Sequence, residues 1–270
     1  MKTILQPFSD KRTLVANGRC TLVGAGPGDP ELLTLKALKA IQAASVLFVD
    51  DLVNPEIVAF AQPNARIVYV GKRGGCKSTP QAFIEKLMVM AVKEGDNVVR
   101  LKGGDPFIFG RGGEEIDALN KAGIEVTVIN GITSGLAALT SLNVPLTHRD
   151  YAHGVVFVTG HAKPGDVGTN WALLAATAFE AKLTLVIYMG VTGSEQIQNE
   201  LLLGLPASIP VAIIQNASMP GQRHAVATLG SLRATIEQEG LQSPSVIVVG
   251  DVLQGLAAAT DNTTNQQKQA

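Results

Sequence analysis

Short apolar runs alternate with amphipathic stretches through the first half of the chain. Cys20-Thr21-Leu22-Val23, Val46–Val49, Arg66–Val70, Asn97–Leu101 and Glu125–Ile129 have the length and apolar content of buried strands. Between them, Leu32–Ala44, a stretch running from Thr79-Pro80 to about Lys93, Glu114–Ala122 and Leu136–Leu142 read as helices. Thr79 reads as an N-cap with Pro80 at the first helical position, and Gly123 ends the third helix. Five apolar strands alternating with helices argue for a parallel sheet covered on both faces.

The pattern breaks at Asn143–Tyr151 (NVPLTHRDY), where Pro145 meets a charged cluster. Beyond it, strands are expected at Val155–Thr159, Leu183–Met189, Val211–Gln215, Ala225–Leu229 and Val246–Val249, with helices near Glu195–Leu203 and at Leu232–Glu239. Closely spaced strands late in this half imply a mixed sheet. The division expected is a poorly ordered lead-in over 1–18, an N-terminal α/β domain over 19–143, a C-terminal α/β domain over 144–256 and a disordered polar tail over 257–270.

One loop organises the rest. Leu101–Glu115 reads LKGGDPFIFGRGGEE, with five glycines, between a strand and a helix. In open α/β sheets such loops lie at the carboxyl edge of the strands, where ligands bind. Glycine at this density costs backbone entropy, so the loop needs unusual backbone angles or close approach to a ligand. A second loop, Gly24-Ala25-Gly26-Pro27-Gly28-Asp29-Pro30, follows the first strand, and a third, Gly71-Lys72-Arg73-Gly74-Gly75, follows another. The first strand, its loop and the strand ending in Asp50 invite comparison with a dinucleotide site, but G-x-G-x-G-D departs from the G-x-G-x-x-G fingerprint, and Pro27 supplies no N–H.

Composition narrows the classes. With 46% apolar residues in 270, the chain can bury a real core. A formal charge of −1 and no basic run with interleaved aromatics argue against nucleic acid, so any anionic partner must be met by local arginines. Cys20 and Cys76 lack metal-ligand or redox spacing, so no metal site is expected and a reducing compartment fits. No apolar run reaches the ~18 residues of a spanning helix, and the expected location is cytoplasmic.

Val23–Leu35 (VGAGPGDPELLTL), Gly71-Lys72-Arg73, Arg100–Glu115, Gly131-Ile132-Thr133-Ser134, Pro145–Arg149, Val158-Thr159-Gly160-His161 and Tyr188-Met189-Gly190 together resemble the tetrapyrrole methylase family, in particular its uroporphyrinogen-III C-methyltransferases. The likeness covers roughly Thr21–Leu253. It implies two α/β domains with the active site in the cleft between them, a homodimer, and S-adenosylmethionine as methyl donor and S-adenosylhomocysteine as product. The implied reaction methylates uroporphyrinogen III at carbons 2 and 7, giving precorrin-2 by way of precorrin-1, a precursor of sirohaem, cobalamin and haem d1.

Carried over by position, the resemblance places Pro27, Gly103, Gly104, Asp105, Ile108, Thr133, Ser134, Met189 and Ala217 against the donor, Asp50 as proton acceptor and Lys72 as proton donor. Two departures stand out. Asp51 follows Asp50 where relatives commonly carry Arg or Ala, which bears on the charge at Asp50, and Asn216-Ala217-Ser218 replaces Asn-Gly-Thr.

The implied chemistry gives other residues a purpose. A substrate with eight carboxylates needs anion clamps, and Arg111, Arg149 and His161 are the candidates, a planar guanidinium pairing bidentately with carboxylate; the alternative for each arginine is a structural ion pair, and for His161 a packed or capping role. A cationic methylated ring must lose a proton, for which Asp50, Glu114 and Asp105 are candidate bases. Glu114 also has a second reading, as an acid complementing the dipole of its helix. Asp105 is assigned to the donor, its side chain reaching ribose or amino acid from a tight turn.

Overall fold

The computed structural model describes residues 18–71, 79–162, 165 and 167–254. Lys72, the tail 257–270 and all of the expected lead-in except Gly18 lie outside the described residues.

The first sheet holds β1 (Arg19–Gly24), β2 (Val46–Val49), β3 (Arg66–Tyr69), β4 (Asn97–Lys102) and β5 (Val126–Ile129), all parallel, in the order β3-β2-β4-β1-β5. Side chains alternate across it. On one face Val23, Leu47, Val49, Val99 and Leu101 pack with Ala37 and Ile41 of α1 (Leu35–Ala43) and Ile57 of α2 (Pro55–Val58). On the other, Leu22, Val46, Phe48 and Val98 meet Ile84 and Met88 of α3 (Gln81–Lys93) and Leu119 of α4 (Gly112–Lys121). Neighbouring strands β1 and β4 therefore send their chains to opposite faces. This is a topological switch point, and the crevice at its carboxyl edge is where open α/β sheets bind ligands.

The second sheet is mixed, as expected. Its strands β6 (Gly154–Thr159), β7 (Leu183–Tyr188), β8 (Pro210–Gln215), β9 (Arg223–Thr228) and β10 (Ser245–Val249) run in the order β6-β7-β10-β8-β9, with β6 and β7 parallel and the other pairs antiparallel. Helix α5 (Ser134–Thr140) lies on one face, its Ala138 and Leu139 against Val186, Ala212, Ile214 and Val248. Helices α6 (Trp171–Glu180), α7 (Ser194–Leu201) and α8 (Leu232–Glu239) cover the other through Trp171, Ala175, Ile197, Leu201, Leu232 and Ile236. So α5 precedes the break at Asn143 in sequence yet packs with the second sheet.

Local chemistry adjusts several expected bounds. The helix expected from Leu32 divides into a 3-10 turn at Pro30–Leu32 and α1, because the Thr34 side chain accepts the Ala37 N–H at 3.1 Å and starts the helix there. Pro80 is the N-cap of α3 rather than its first helical residue, and no side chain caps that end. Helix α4 begins at Gly112, two residues ahead of Glu114. Helix α6 is apolar almost all round, so no amphipathic stripe marks it; Asn170 caps it by accepting the Leu173 N–H.

Candidate active site

Three backbones meet at the switch point. The Ala25 N–H donates to Lys102 O at 2.7 Å, and Gly26 and Gly104 exchange bonds of 3.1 and 2.7 Å. A Cβ on Gly24 would stand 2.7 Å from Gly104 O, and one on Gly131 would overlap the same oxygen. Only glycine lets the loops after β1, β4 and β5 touch in this way, which explains the composition better than flexibility does. Gly104 also has φ 67°, in the left-handed region.

Asp105 ties the contact together. It is 6% exposed; its Oδ1 accepts the Phe107 N–H at 2.8 Å, and its Oδ2 accepts Asn130 Nδ2 and the Gly131 N–H, both at 3.1 Å. The carboxylate that the sequence aims at ribose or amino acid is thus bonded to its own and a neighbouring loop, and Asp105 shapes the cradle.

The far end of the organising loop is pinned by a buried charge cluster. Arg100, Lys102 and Glu115 are all 2% exposed or less. Arg100 Nε donates to Glu115 Oε1 at 2.9 Å, and Gln81 Nε2 to the same oxygen at 3.2 Å. Lys102 Nζ lies 3.1 Å from Glu115 Oε2 as an ion pair, without a well-aligned hydrogen bond. Burial, reinforced by Arg100, pulls the Lys102 ammonium below the usual lysine range, with Glu115 and Asp50 opposing. Arg100 Nη2 lies 3.5 Å from Asp50 Oδ2 at the end of β2. The Asp51 carboxyl lies instead against Gly71, so the Asp-Asp pair does not put two carboxylates on Arg100.

The second sheet contributes the facing wall. Tyr188, at the end of β7, is bonded to Thr133 and Gly135, and its ring packs against Phe109 of the organising loop with centroids 5.0 Å apart. The turn after β8 reaches across as well: the Asp29 N–H donates to Ser218 Oγ at 3.2 Å, and a Cβ on Gly28 would strike Met219. Phe109, Arg111, Met189, Asn216 and Ser218 all have left-handed φ, between 51° and 67°. Such strain gathered on facing loops is characteristic of functional sites.

The structure thus brings together most of the expected donor residues. Pro27, Gly103, Gly104, Asp105, Thr133, Ser134, Met189 and Ala217 lie on the mutually contacting loops, and Ile108 sits between Phe107 and Phe109. Asp50 stands beside them, partly exposed. Arg111 and Glu114 are exposed and paired with each other, Nε to Oε1 at 3.0 Å and Nη2 to Oε2 at 2.5 Å; that hydrogen bond raises the arginine pKa further. Arg149 is exposed in the turn that joins His148 to Ala152, and its carbonyl faces His153 Nε2 at 3.2 Å. His161 follows Gly160, whose N–H donates to Tyr188 O at 2.7 Å. Lys72 lies outside the described residues. Sequence reasoning missed Arg100, Lys102, Glu115 and Tyr188; two cations two residues apart in a buried strand, followed by an acid in the next helix, were the available signal.

The sequence profile of the tetrapyrrole (corrin/porphyrin) methylases matches residues 19–233. The chain belongs to the tetrapyrrole methylase family. Among relatives of this methylase, a uroporphyrinogen-III C-methyltransferase of Pseudomonas aeruginosa is 48% identical over 243 residues, 90% of this chain and 97% of that one. The structure of a Thermus thermophilus uroporphyrin-III C-methyl transferase complexed with S-adenyl homocysteine superimposes with a TM-score of 0.74 at 39% identity, covering 88% of this chain and 99% of that one. A cobalt precorrin-4 methyltransferase superimposes with a TM-score of 0.78 at 26% identity, over 88% of this chain and 97% of that one. Fold similarity therefore extends across the family, whereas identity leans toward the uroporphyrinogen enzymes. Gly24, Gly104 and Gly131 serve the contact between the loops, and half-exposed Met189 adds an adaptable apolar surface beside them.

Proposed function

We propose that this methylase transfers two methyl groups from S-adenosylmethionine to carbons 2 and 7 of uroporphyrinogen III, giving precorrin-2 by way of precorrin-1 for sirohaem, cobalamin or haem d1 synthesis. What supports the reading is the meeting of the loops after β1, β4, β5, β7 and β8, together with the 48% identity to a uroporphyrinogen-III C-methyltransferase.

The donor supplies an electrophilic methyl on a sulfonium. Transfer breaks the carbon–sulfur bond, leaves S-adenosylhomocysteine, and makes a carbon–carbon bond to the electron-rich ring, which becomes cationic and then loses a proton. Alignment of two bound reactants can supply on the order of 7–11 kcal/mol of such a barrier. In this reading Gly103, Gly104, Asp105, Thr133 and Ser134 form the donor cradle, with Pro27, Ile108, Met189 and Ala217 as its rim. Asp105 acts by holding Gly131 and Phe107 in place. Asp50 accepts the proton, and Lys72 is the partner donor. Arg111 opens from Glu114 to take a substrate carboxylate, with Arg149 and His161 meeting others; Glu114 is then the second acid near the ring. A homodimer in the cytoplasm is the expected assembly and location, as is a division into two α/β domains flanking the cleft.

Anaerobic incubation with uroporphyrinogen III and methyl-labelled S-adenosylmethionine, followed by mass analysis, tests the reading. Two labelled methyls per tetrapyrrole are expected. Donor binding without transfer to uroporphyrinogen III would redirect the substrate to a later precorrin.

A further inference from the structure

The geometry points to Arg100 as the positioning residue for Asp50, itself oriented by Glu115 and Lys102 beneath the organising loop. This rests on the reading of Asp50 as the proton acceptor.

Every part of the Arg100 fork is committed. Its Nε is bonded to Glu115, and its Nη1 donates to Phe48 O at 3.3 Å and Leu101 O at 3.4 Å. Its Nη2 lies 3.5 Å from Oδ2 of Asp50, which is partly exposed. Phe48 lies on β2, two residues before Asp50, so one guanidinium hydrogen-bonds the strand that carries the carboxylate and forms an ion pair with the carboxylate itself. A lysine point charge could not do this, because the planar fork sets direction as well as charge.

The charge count explains why Asp50 belongs to the cluster. Arg100 and Lys102 bring two positive charges into a dry space and Glu115 one negative; the Asp50 carboxylate completes neutrality. Buried charge without a partner is strongly disfavoured, so the cluster draws Asp50 toward Arg100. Asp51, turned against Gly71, does not compete. Glu115, at 0% exposed, cannot reach substrate and acts through the arginine. General-base catalysis depends on placing the acceptor within hydrogen-bond reach of its proton, so a carboxylate free to rotate loses turnover more than affinity.

A double-mutant cycle on the full-length enzyme tests this, using Arg100→Lys, Asp50→Asn and their combination. The readouts are kcat for methyl transfer to uroporphyrinogen III, the KM for each substrate, and calorimetric binding of S-adenosylhomocysteine. Arg100→Lys should lower kcat about 10- to 100-fold while leaving product affinity within about twofold, and in the Asp50→Asn background it should cost nothing further. Losses that multiply, or a product affinity that falls in step with kcat, would overturn the positioning role even if Asp50→Asn is inactive. Full turnover by Asp50→Asn would instead remove the proton-acceptor reading and this inference with it. Should Arg100→Lys not fold, Glu115→Gln carries the same cycle: it keeps an oxygen for Arg100 Nε but removes the charge, and its effect too must vanish without Asp50. A crystal structure of either variant with the Asp50 side chain unmoved would also refute the proposal.

Discussion

The phenol oxygen of Tyr188 lies 2.6 Å from Thr133 Oγ1 and 2.8 Å from the Gly135 nitrogen, which donates to it. A residue at the end of β7 thus holds the start of α5, and its ring steadies Phe109 of the loop after β4. Tyr188→Phe keeps the ring and removes both bonds. Leaving a buried N–H and hydroxyl without that partner should cost about 1–3 kcal/mol. Urea unfolding should register that loss, and S-adenosylhomocysteine affinity should fall several-fold; unchanged affinity would separate Tyr188 from the donor cradle.

Asp105 makes a sharper test of the cradle. In Asp105→Asn one carboxylate oxygen becomes an NH2, which cannot accept from Phe107 on one side or from Asn130 and Gly131 on the other. Loss of charge-assisted bonds of this kind should destabilise the fold by about 1.5–3 kcal/mol and weaken donor binding at least tenfold. Calorimetry and thermal unfolding on the same sample would read both.

Gly131→Ala tests whether close approach, rather than mobility, is what the glycines provide. The added methyl overlaps Gly104 O and crowds Gly24, so the loops must part. An overpacking penalty of about 1–3 kcal/mol is expected together with loss of donor binding. Wild-type affinity in this variant would show that the three loops can separate without harm.

Arg111 and Glu114 form an exposed pair, and such pairs contribute about 0–1 kcal/mol to stability. Arg111→Met should therefore leave the melting temperature nearly unchanged and lower kcat/KM for the polycarboxylate substrate by at least tenfold. Full turnover would end the clamp role. The wild-type KM should also rise with salt more steeply than that of the variant.

Cys20 offers a pH signature unconnected with catalysis. Burial, with help from the Glu115 charge, pushes its thiol from 9.0 up to about 12. The folded chain keeps a proton that the unfolded chain gives up above pH 9, so this group's contribution is complete below pH 9 and declines as pH rises toward 12. The slope approaches about 1.4 kcal/mol per pH unit. Comparing stability at pH 8 and 10.5 for wild type and Cys20→Ala should show the smaller pH-dependent decline in the variant.

Much of the N-terminal sheet could be read from the chain alone, because β1 to β5 are short apolar runs separated by helical spacing, a pattern with few packing solutions. The glycine loops pointed to close backbone contact at the carboxyl edge, and Gly103, Gly104 and Gly110 do lie between β4 and α4, whereas Gly112 and Gly113 open the helix. The mixed second sheet was also legible, from strands placed too close for crossover helices. Contacts between distant segments decided the rest. Helix α5 is attached in sequence to the first half, yet Ala138 and Leu139 find their apolar surface on the second sheet. Asp105 reads as a ligand contact in the sequence; only the fold shows that its Oδ1 also accepts from Phe107 and its Oδ2 from Asn130 and Gly131. Arg100, Lys102 and Glu115 look like ordinary solvated charges in a string of letters. Only the register of β4 beneath α4 turns them inward, where they pair with one another and Arg100 reaches the partly exposed Asp50, because buried charge left unpaired is strongly destabilising.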